Sequence, residues 1–278
     1  MASEYEIKKQ ILDIGRRIYN RGMVAANDGN ISVKLNDHEI LCTPTGISKG
    51  FMTMDMICKV DENGKVLSSH PPYRPSSEIK MHLRVYKLRP DVKSVVHAHP
   101  VHATAFAIAG IPLTQPIMPE AVISLGCVPI AKYGTPSTDE IPDAVEPFLE
   151  HFDAVLLENH GALTFSDSLL NAYYKMEAVD FYAQLLLLSN QLGGPQEFSE
   201  EQVQRLYDIR RKLGMTGKHP ANLCQNINGG CHALNHKSSV GGCGSCGGSC
   251  STGAAKPAAA SDDMVAEITK RILAELNH

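Results

Sequence analysis

The sequence lacks several features that would assign it to common classes of protein. Its 278 residues carry 26 basic and 30 acidic side chains, a formal net charge of −4, whereas a nucleic-acid-binding protein needs a basic face. No apolar run reaches the roughly 18–20 residues that span a bilayer. No Walker or dinucleotide-binding glycine motif is present, so a nucleotide cofactor is not indicated. We therefore expect a cytoplasmic protein that binds neither nucleic acid nor membrane.

The composition that remains is typical of one large globular domain. An apolar fraction of 43% is sufficient for a well-buried core. Helical periodicity opens the chain, and helices then mix with short strand-like runs up to about residue 213. Because these elements show no regular βαβ period, we expect residues 1–213 to form a three-layer α/β domain. Its central, mainly antiparallel sheet would be flanked by helices.

The C-terminal part has a different character. Residues 214–261 are rich in glycine and cysteine and contain little that could be buried, which predicts a flexible linker. Residues 262–278 recover a helical apolar stripe, formed by Met264, Val265, Ile268, Ile272 and Leu276. An isolated helix of this length is marginal in water. We therefore expect an amphipathic docking helix, with packing against its own domain as the alternative.

Three histidines lie within six positions of the apolar segment SVVHAHPVHA, residues 94–103. Alternate side chains of a strand share a face, so His97 and His99 would point the same way and suit a divalent metal such as zinc. His160, in a turn after another buried strand, is the natural third ligand. A zinc ion bound by His97, His99 and His160 would keep one coordination position open. The pattern alone supports about equally well a set of core histidines whose hydrogen bonds are satisfied.

Metal-assisted chemistry also requires a base, and Glu78 at a predicted helix N-terminus is the candidate. The alternative is that Glu78 only stabilises the helix dipole. Three small polar loops, NDGNIS, TPTGIS and PSSE, offer hydroxyls, an amide and backbone N–H groups to a phosphate, although ordinary turns use the same residue types. The candidate phosphate-binding residues are Gly29, Asn30, Thr45, Gly46, Ser76 and Ser77.

The segments GNIS, TPTG, SSE, HAHP and ENHGAL, in this order and spacing, resemble the zinc-dependent class II aldolase/adducin family. The resemblance covers residues 1 to about 213 and is greatest to members that cleave L-fuculose 1-phosphate. It implies that His97, His99 and His160 bind one Zn²⁺ per subunit, that Glu78 is the catalytic acid/base, and that the three loops hold the substrate phosphate. It also implies a homotetramer that cleaves L-fuculose 1-phosphate or L-rhamnulose 1-phosphate to dihydroxyacetone phosphate and L-lactaldehyde.

The chain departs from the family pattern at the proton donor. The family has a tyrosine on the segment after the H-x-H helix, where this chain has Gln115. Tyr133 or Tyr207 could take its place. Two alternatives to the aldolase also remain: a same-fold pentulose-phosphate epimerase, sugar-phosphate dehydratase or decarboxylase, and a non-catalytic adducin-like interaction module.

The C-terminal extension resembles the encapsulation peptides that direct enzymes into bacterial microcompartments. This resemblance implies a location in the microcompartment lumen, with residues 262–278 bound to the shell or to a co-encapsulated enzyme. In the linker, the spacing of Cys243, Cys246 and Cys250 suits a second metal or an iron–sulfur cluster. A redox-sensitive or incidental linker is the alternative interpretation of these cysteines.

Overall fold

The structure, a computed structural model, describes residues 3–220. Most of the predicted linker, the predicted docking helix and the cysteines Cys243, Cys246 and Cys250 lie outside the described residues. The α-helices within residues 3–220 are α1 (Glu4–Asn20), α2 (Ile79–Leu88), α3 (Val101–Ile108), α4 (Pro119–Ser124), α5 (Glu140–Val145), α6 (Leu169–Gln191) and α7 (Glu200–Lys212). The strands are β1 (Asn30–Asn36), β2 (Glu39–Cys42), β3 (Cys58–Val60), β4 (Val66–Ser68), β5 (Ser94–Ala98), β6 (Ile130–Ala131), β7 (Ala154–Leu157) and β8 (Gly161–Ser166).

These strands form one sheet in the order β4-β3-β2-β1-β5-β8-β7-β6. Neighbouring strands are antiparallel except for β6 and β7. Successive residues of β5 belong to different hydrophobic cores, since Val96 lies in the first core and Val95 in the second. The reason is that successive side chains of a strand point to opposite faces of the sheet. Helices α1, α3 and α6 contribute to the first core, and α2 and α5 to the second. The predicted α/β fold with a mainly antiparallel sheet is confirmed.

Local sequence signals explain the first helix and the longest helix of the described domain. Helix α1 buries Ile11, Ile14 and Ile18, which share one face at helical spacing. Ser168 caps α6 by accepting a hydrogen bond from the backbone N–H of Asn171, and this cap fixes where the longest helix begins. No helix within residues 3–220 is both long and apolar enough to cross a membrane.

Strand β8 departs from the expectation, since the sequence indicated a turn after β7 but no further strand. All six residues of β8 are buried, so its sequence shows no alternation of polar and apolar side chains. It pairs with β7 on one side and with β5 on the other, where Ala98 lies opposite Ala162. The hairpin of β7 and β8 therefore brings the segment around residue 160 to the end of β5.

The folded part also continues past residue 213, where the linker was expected to begin. The backbone carbonyl of Thr216 accepts a hydrogen bond from Arg210, at 2.9 Å. His219 is buried, and its Nε2 atom lies 2.7 Å from the carbonyl oxygen of Val122. Thr216 and His219 thus contact the domain, although residues 214–218 are exposed.

A buried polar group ties helix α2 to strand β1. The hydroxyl of Ser32 lies 2.7 Å from Nδ1 of His82 and 2.7 Å from the hydroxyl of Tyr86. Complete burial disfavours the charged imidazolium and lowers the pKa of His82 from 6.5 to about 3. His82 is therefore a neutral hydrogen-bonding group that fixes the register between helix and strand.

We expect His82 to make the fold sensitive to acid. Its imidazole stays neutral in the folded protein down to about pH 3 but binds a proton in the unfolded chain below about pH 6.5. Stability should therefore fall as the pH falls through this window, by up to about 1.4 kcal/mol per pH unit from this group. In His82→Asn, which cannot titrate, the free energy of unfolding measured by urea denaturation should depend less steeply on pH.

His38→Asn is the matched control, because the His38 side chain is 82% exposed. It should leave the pH dependence of unfolding as in the unmodified protein. The same slope in His82→Asn and the unmodified protein would contradict the assignment.

Candidate active site

Three histidines meet where β5 ends and β8 begins. His97 is the fourth residue of β5, His99 lies just beyond the end of that strand, and His160 is the last residue of the turn between β7 and β8. Their ring centroids are 4.7–5.0 Å apart. One ring nitrogen from each lies within 4.8 Å of the others. The sequence expected both His97 and His99 on the strand, but the strand ends at Ala98.

Hydrogen bonds orient two of these rings. The Nδ1 atom of His97 lies 2.9 Å from the carbonyl oxygen of Ala162, so it carries the proton and leaves a lone pair on Nε2. The Nδ1 atom of His99 faces a carboxylate oxygen of Asp28 at 3.4 Å, which favours the same tautomer. The two Nε2 atoms are then 3.1 Å apart with their lone pairs facing. A shared cation removes the repulsion between such lone pairs.

Glu78 lies directly beside these histidines. One oxygen, Oε2, accepts a hydrogen bond from the Asn30 amide at 2.9 Å and lies 3.5 Å from Nε2 of His97. The other, Oε1, lies 3.4 Å from Nε2 of His160. Burial raises the pKa of Glu78, which favours a protonated carboxyl more than in water. The structure thus joins the predicted acid/base to the predicted metal ligands.

The donor set fits a divalent metal ion. Within residues 3–220, Oε1 of Glu78 and Nδ1 of His160 are buried and have no hydrogen-bond partner, although most buried polar atoms do. Burial also lowers the pKa of each of the three imidazoles, which keeps them in the neutral form that binds metals. Three neutral imidazoles beside a carboxylate are ligands that zinc accepts.

A close backbone approach makes this geometry accessible. A Cβ atom on Gly161 would lie 2.5 Å from the carbonyl oxygen of Ala98 and 2.6 Å from Cδ2 of His99. Only glycine therefore allows β8 to begin against the end of β5 with the His99 ring in place. Asn159, two residues earlier, adopts a left-handed conformation with φ of 56°, which asparagine tolerates better than most residues.

The three polar loops also lie together. Pro44 and Pro75 form an antiparallel bridge, and the N–H of Thr45 donates to the carbonyl of Arg74 at 2.9 Å. The hydroxyl of Ser76 accepts a hydrogen bond from the N–H of Glu78. Through these contacts and the Asn30–Glu78 hydrogen bond, the structure brings Asn30, Thr45 and Ser76 to the N-terminus of α2. The other candidates, Gly29, Gly46 and Ser77, are the sequence neighbours of these three residues.

The two tyrosines proposed as proton donors are not brought to this cluster. Tyr133 is 56% exposed, and its backbone N–H donates to Glu158. The ring of Tyr207 lies 5.2 Å from the ring of His219. Neither tyrosine contacts Glu78 or the three histidines within the chain from residue 3 to residue 220.

Sequence reasoning missed two residues that support the cluster, Asp28 and Gly161. Asp28 precedes the predicted loop residues Gly29 and Asn30, but its spacing from the histidines matches no metal-binding motif. Gly161 resembled an ordinary turn glycine. Each is adjacent to a residue that was predicted, but this adjacency does not indicate which distant residue it contacts.

Comparison with known proteins agrees with these features. Residues 9–187 match the model of the class II aldolase and adducin N-terminal domain. The chain belongs to the class II aldolase/adducin family. An "L-fuculose phosphate aldolase" of Methanococcus maripaludis is 32% identical over 183 residues, which are 66% of this chain and 97% of that protein. A "3-oxo-tetronate 4-phosphate decarboxylase" of Pectobacterium atrosepticum is 28% identical over 192 residues, 68% of this chain and 87% of that protein.

A solved structure described as "L-fuculose 1-phosphate aldolase" superposes with a TM-score of 0.68 at 30% identity. The match covers 76% of this chain and 98% of that one. The family and fold expected from the five motifs are therefore confirmed, and the chain is a metal-dependent lyase.

The close approach at Gly161 yields a direct test. Gly161→Ala should displace β8 or the His99 ring, with a loss of about 1–3 kcal/mol in the free energy of unfolding. Because either displacement changes the position of His99 relative to His160, the affinity for a divalent metal, tested with Zn²⁺, should fall at least about tenfold. The affinity is measured by competition with a chromophoric chelator.

Gly22→Ala is the control, since Gly22 has φ of +67° but a Cβ atom added there would meet nothing within 4 Å. It should lower stability through backbone strain alone and leave Zn²⁺ affinity unchanged. Equal Zn²⁺ affinities in Gly161→Ala and the unmodified protein would show that the close approach does not position His99.

Proposed function

We propose that the protein is a zinc-dependent aldolase that cleaves L-fuculose 1-phosphate or L-rhamnulose 1-phosphate to dihydroxyacetone phosphate and L-lactaldehyde. The observation that carries this proposal is the partly buried Glu78 carboxylate, which lies against His97, His160 and Asn30. Relatives described as aldolases of L-fuculose phosphate support the substrate class.

The proposed active site has two parts, a metal-binding site and a phosphate-binding site. His97, His99 and His160 would hold one Zn²⁺, which supplies Lewis-acid polarisation of the substrate carbonyl and stabilises negative charge on its oxygen. The phosphate would bind at the N-terminus of α2, where the helix dipole and the hydroxyls of Ser76 and Ser77 favour an anion. Anchoring the phosphate on C1 and the carbonyl at C2 would place the C3–C4 bond beside Glu78.

Glu78 would transfer the proton at C3. Cleavage requires loss of the C4 hydroxyl proton, breakage of the C3–C4 bond with its electron pair left on C3, and protonation of C3. A carboxyl whose pKa burial has raised holds a proton more readily near neutral pH. Asn30 orients this carboxyl by donating to Oε2. The proton donor that partners Glu78 remains predicted as Tyr133 or Tyr207, which in a homotetramer would come from a neighbouring subunit; in the cleavage direction the same group would accept the C4 hydroxyl proton.

The C-terminal assignments rest on the sequence alone. We propose that residues 214–261 tether the catalytic domain and that residues 262–278 dock to a microcompartment shell or a co-encapsulated enzyme. Confinement in a microcompartment lumen suits a reaction that releases a reactive aldehyde. A second metal at Cys243, Cys246 and Cys250 belongs to the same proposal.

The Pectobacterium relative favours a second candidate, decarboxylation of a phosphorylated 3-oxo acid. Loss of CO₂ beside a polarised carbonyl also leaves an electron pair on carbon, so the same metal ligands and Glu78 would serve it. The two candidates differ in their second product. Loss of CO₂ from 3-oxo-tetronate 4-phosphate leaves dihydroxyacetone phosphate, so both reactions yield that product. The aldolase releases L-lactaldehyde with it, whereas the decarboxylase releases CO₂.

We expect the zinc-loaded protein to release dihydroxyacetone phosphate from one or both deoxyketohexose 1-phosphates, and a chelator to abolish this release. Glu78→Gln should lower kcat by about 10²–10⁴-fold, because the proton transfer is lost. His97→Ala should lose both Zn²⁺ and activity. A coupled assay for dihydroxyacetone phosphate and metal analysis of each purified variant provide the measurements.

Glu150→Gln is the matched control, since its carboxylate is 79% exposed, and it should retain full activity. Release of CO₂ from 3-oxo-tetronate 4-phosphate, with no dihydroxyacetone phosphate from either sugar, would replace the aldolase with the decarboxylase.

A further inference from the structure

Lys49, just after the TPTGIS loop, is a buried cation that the proposed mechanism does not use. The residue is 1% exposed. Its Nζ atom donates to the backbone carbonyls of Asn27 at 2.9 Å and Ile47 at 2.6 Å. Among the described residues it has no carboxylate within ion-pair distance, although the more distant charge of Asp28 favours its protonated form. Burial lowers the pKa of Lys49 to about 8, so most molecules still carry the charge at neutral pH.

The two carbonyls belong to the two loops that frame the site. Asn27 directly precedes Asp28, the partner of His99, and lies three residues before Asn30. Ile47 directly follows Gly46. A single ammonium therefore joins the loop that reaches Glu78 to the loop that carries Thr45 and Gly46.

The backbone of Lys49 is itself held in place. A Cβ atom on Gly15 of helix α1 would lie 2.7 Å from the Lys49 carbonyl oxygen, so helix and residue are in close contact. From this fixed point the side chain extends to the carbonyls of the two loops. A methionine would fill similar space without the cost of burying a charge. A buried cation that contacts only neutral acceptors therefore calls for a functional explanation.

We infer that Lys49 is a positioning residue for anion binding, which sets the spacing of the two loops and favours a phosphate between them by its charge. The inference rests on the phosphate site of the proposed function. Thermodynamic linkage supports this inference. If a bound phosphate stabilises the charged form of Lys49, then the charge of Lys49 must stabilise the bound phosphate by the same free energy. An ammonium also has three N–H donors, and the two carbonyls use only two of them.

Three substitutions separate the spacing from the charge. Lys49→Arg keeps both the charge and several donors, Lys49→Gln keeps an amide donor without the charge, and Lys49→Met keeps neither. Lys9→Met is the matched control, because it removes the same charge from an exposed position on helix α1. Zn²⁺ content and the unfolding midpoint without added phosphate are recorded for every variant.

The probe is inorganic phosphate, whose dissociation constant follows from the rise of the unfolding midpoint over a phosphate series. We expect Lys49→Met to weaken phosphate binding at least about tenfold and to raise KM for the sugar phosphate similarly, with kcat changed less than about threefold. Lys49→Arg should stay close to the unmodified protein. Lys49→Gln should fall between Arg and Met, and Lys9→Met should have no effect.

Phosphate binding as tight in Lys49→Gln and Lys49→Met as in the unmodified protein would overturn the inference. If Lys49→Met does not fold, the comparison of Lys49→Arg with Lys49→Gln decides. The measurement does not depend on turnover, so its failure is distinct from failure of the proposed function. If phosphate binding depends on Lys49 but the protein releases no dihydroxyacetone phosphate, the proposed substrate is wrong and the proposed role of Lys49 stands.

Discussion

The antiparallel pairing of β5 with β8 determines where the three histidines meet. Ala98 lies opposite Ala162, so the turn that ends in His160 faces the end of the strand that carries His97. The same pairing brings the carbonyl of Ala162 within 2.9 Å of Nδ1 of His97, and the backbone of the sheet thereby sets the tautomer of a proposed metal ligand. Gly161 makes this possible, because any side chain there would meet the Ala98 carbonyl and the His99 ring.

Strand register also places the acid/base. Asn30 pairs with His97 across β1 and β5, and its amide holds Glu78 at the first turn of α2. One helical turn further, Ser32 holds His82 in the same way. A slip of one residue in β1 would turn Asn30 to the other face of the sheet and separate Glu78 from the histidines. The site thus depends on two polar links between one strand and one helix.

Much of this arrangement could be predicted from the sequence, and the remainder could not for physical reasons. The periodicity of α1 is a local signal, so it predicted a helix that the structure contains. Strand β8 has six buried residues and no alternation, so its pattern does not distinguish it from other apolar runs. Asp28 and Gly161 act through neighbours distant in sequence, and the proton donor depends on contacts that no local pattern encodes.

Several buried polar groups in and beside the candidate site lack the partners that would normally stabilise them. Some of these groups require a cation and one requires an anion. The facing nitrogens of His97 and His99 and the unpartnered oxygen of Glu78 are electron-rich, so a cation stabilises them. Lys49, under the neighbouring loops, is a cation held only by carbonyls, so an anion stabilises it. A divalent cation bound by the histidines would satisfy the first requirement, and a phosphate between the neighbouring loops would satisfy the second. The charges of the described domain are therefore complementary to a metal ion at one position and an anion at another, which is the arrangement that the proposed substrate requires.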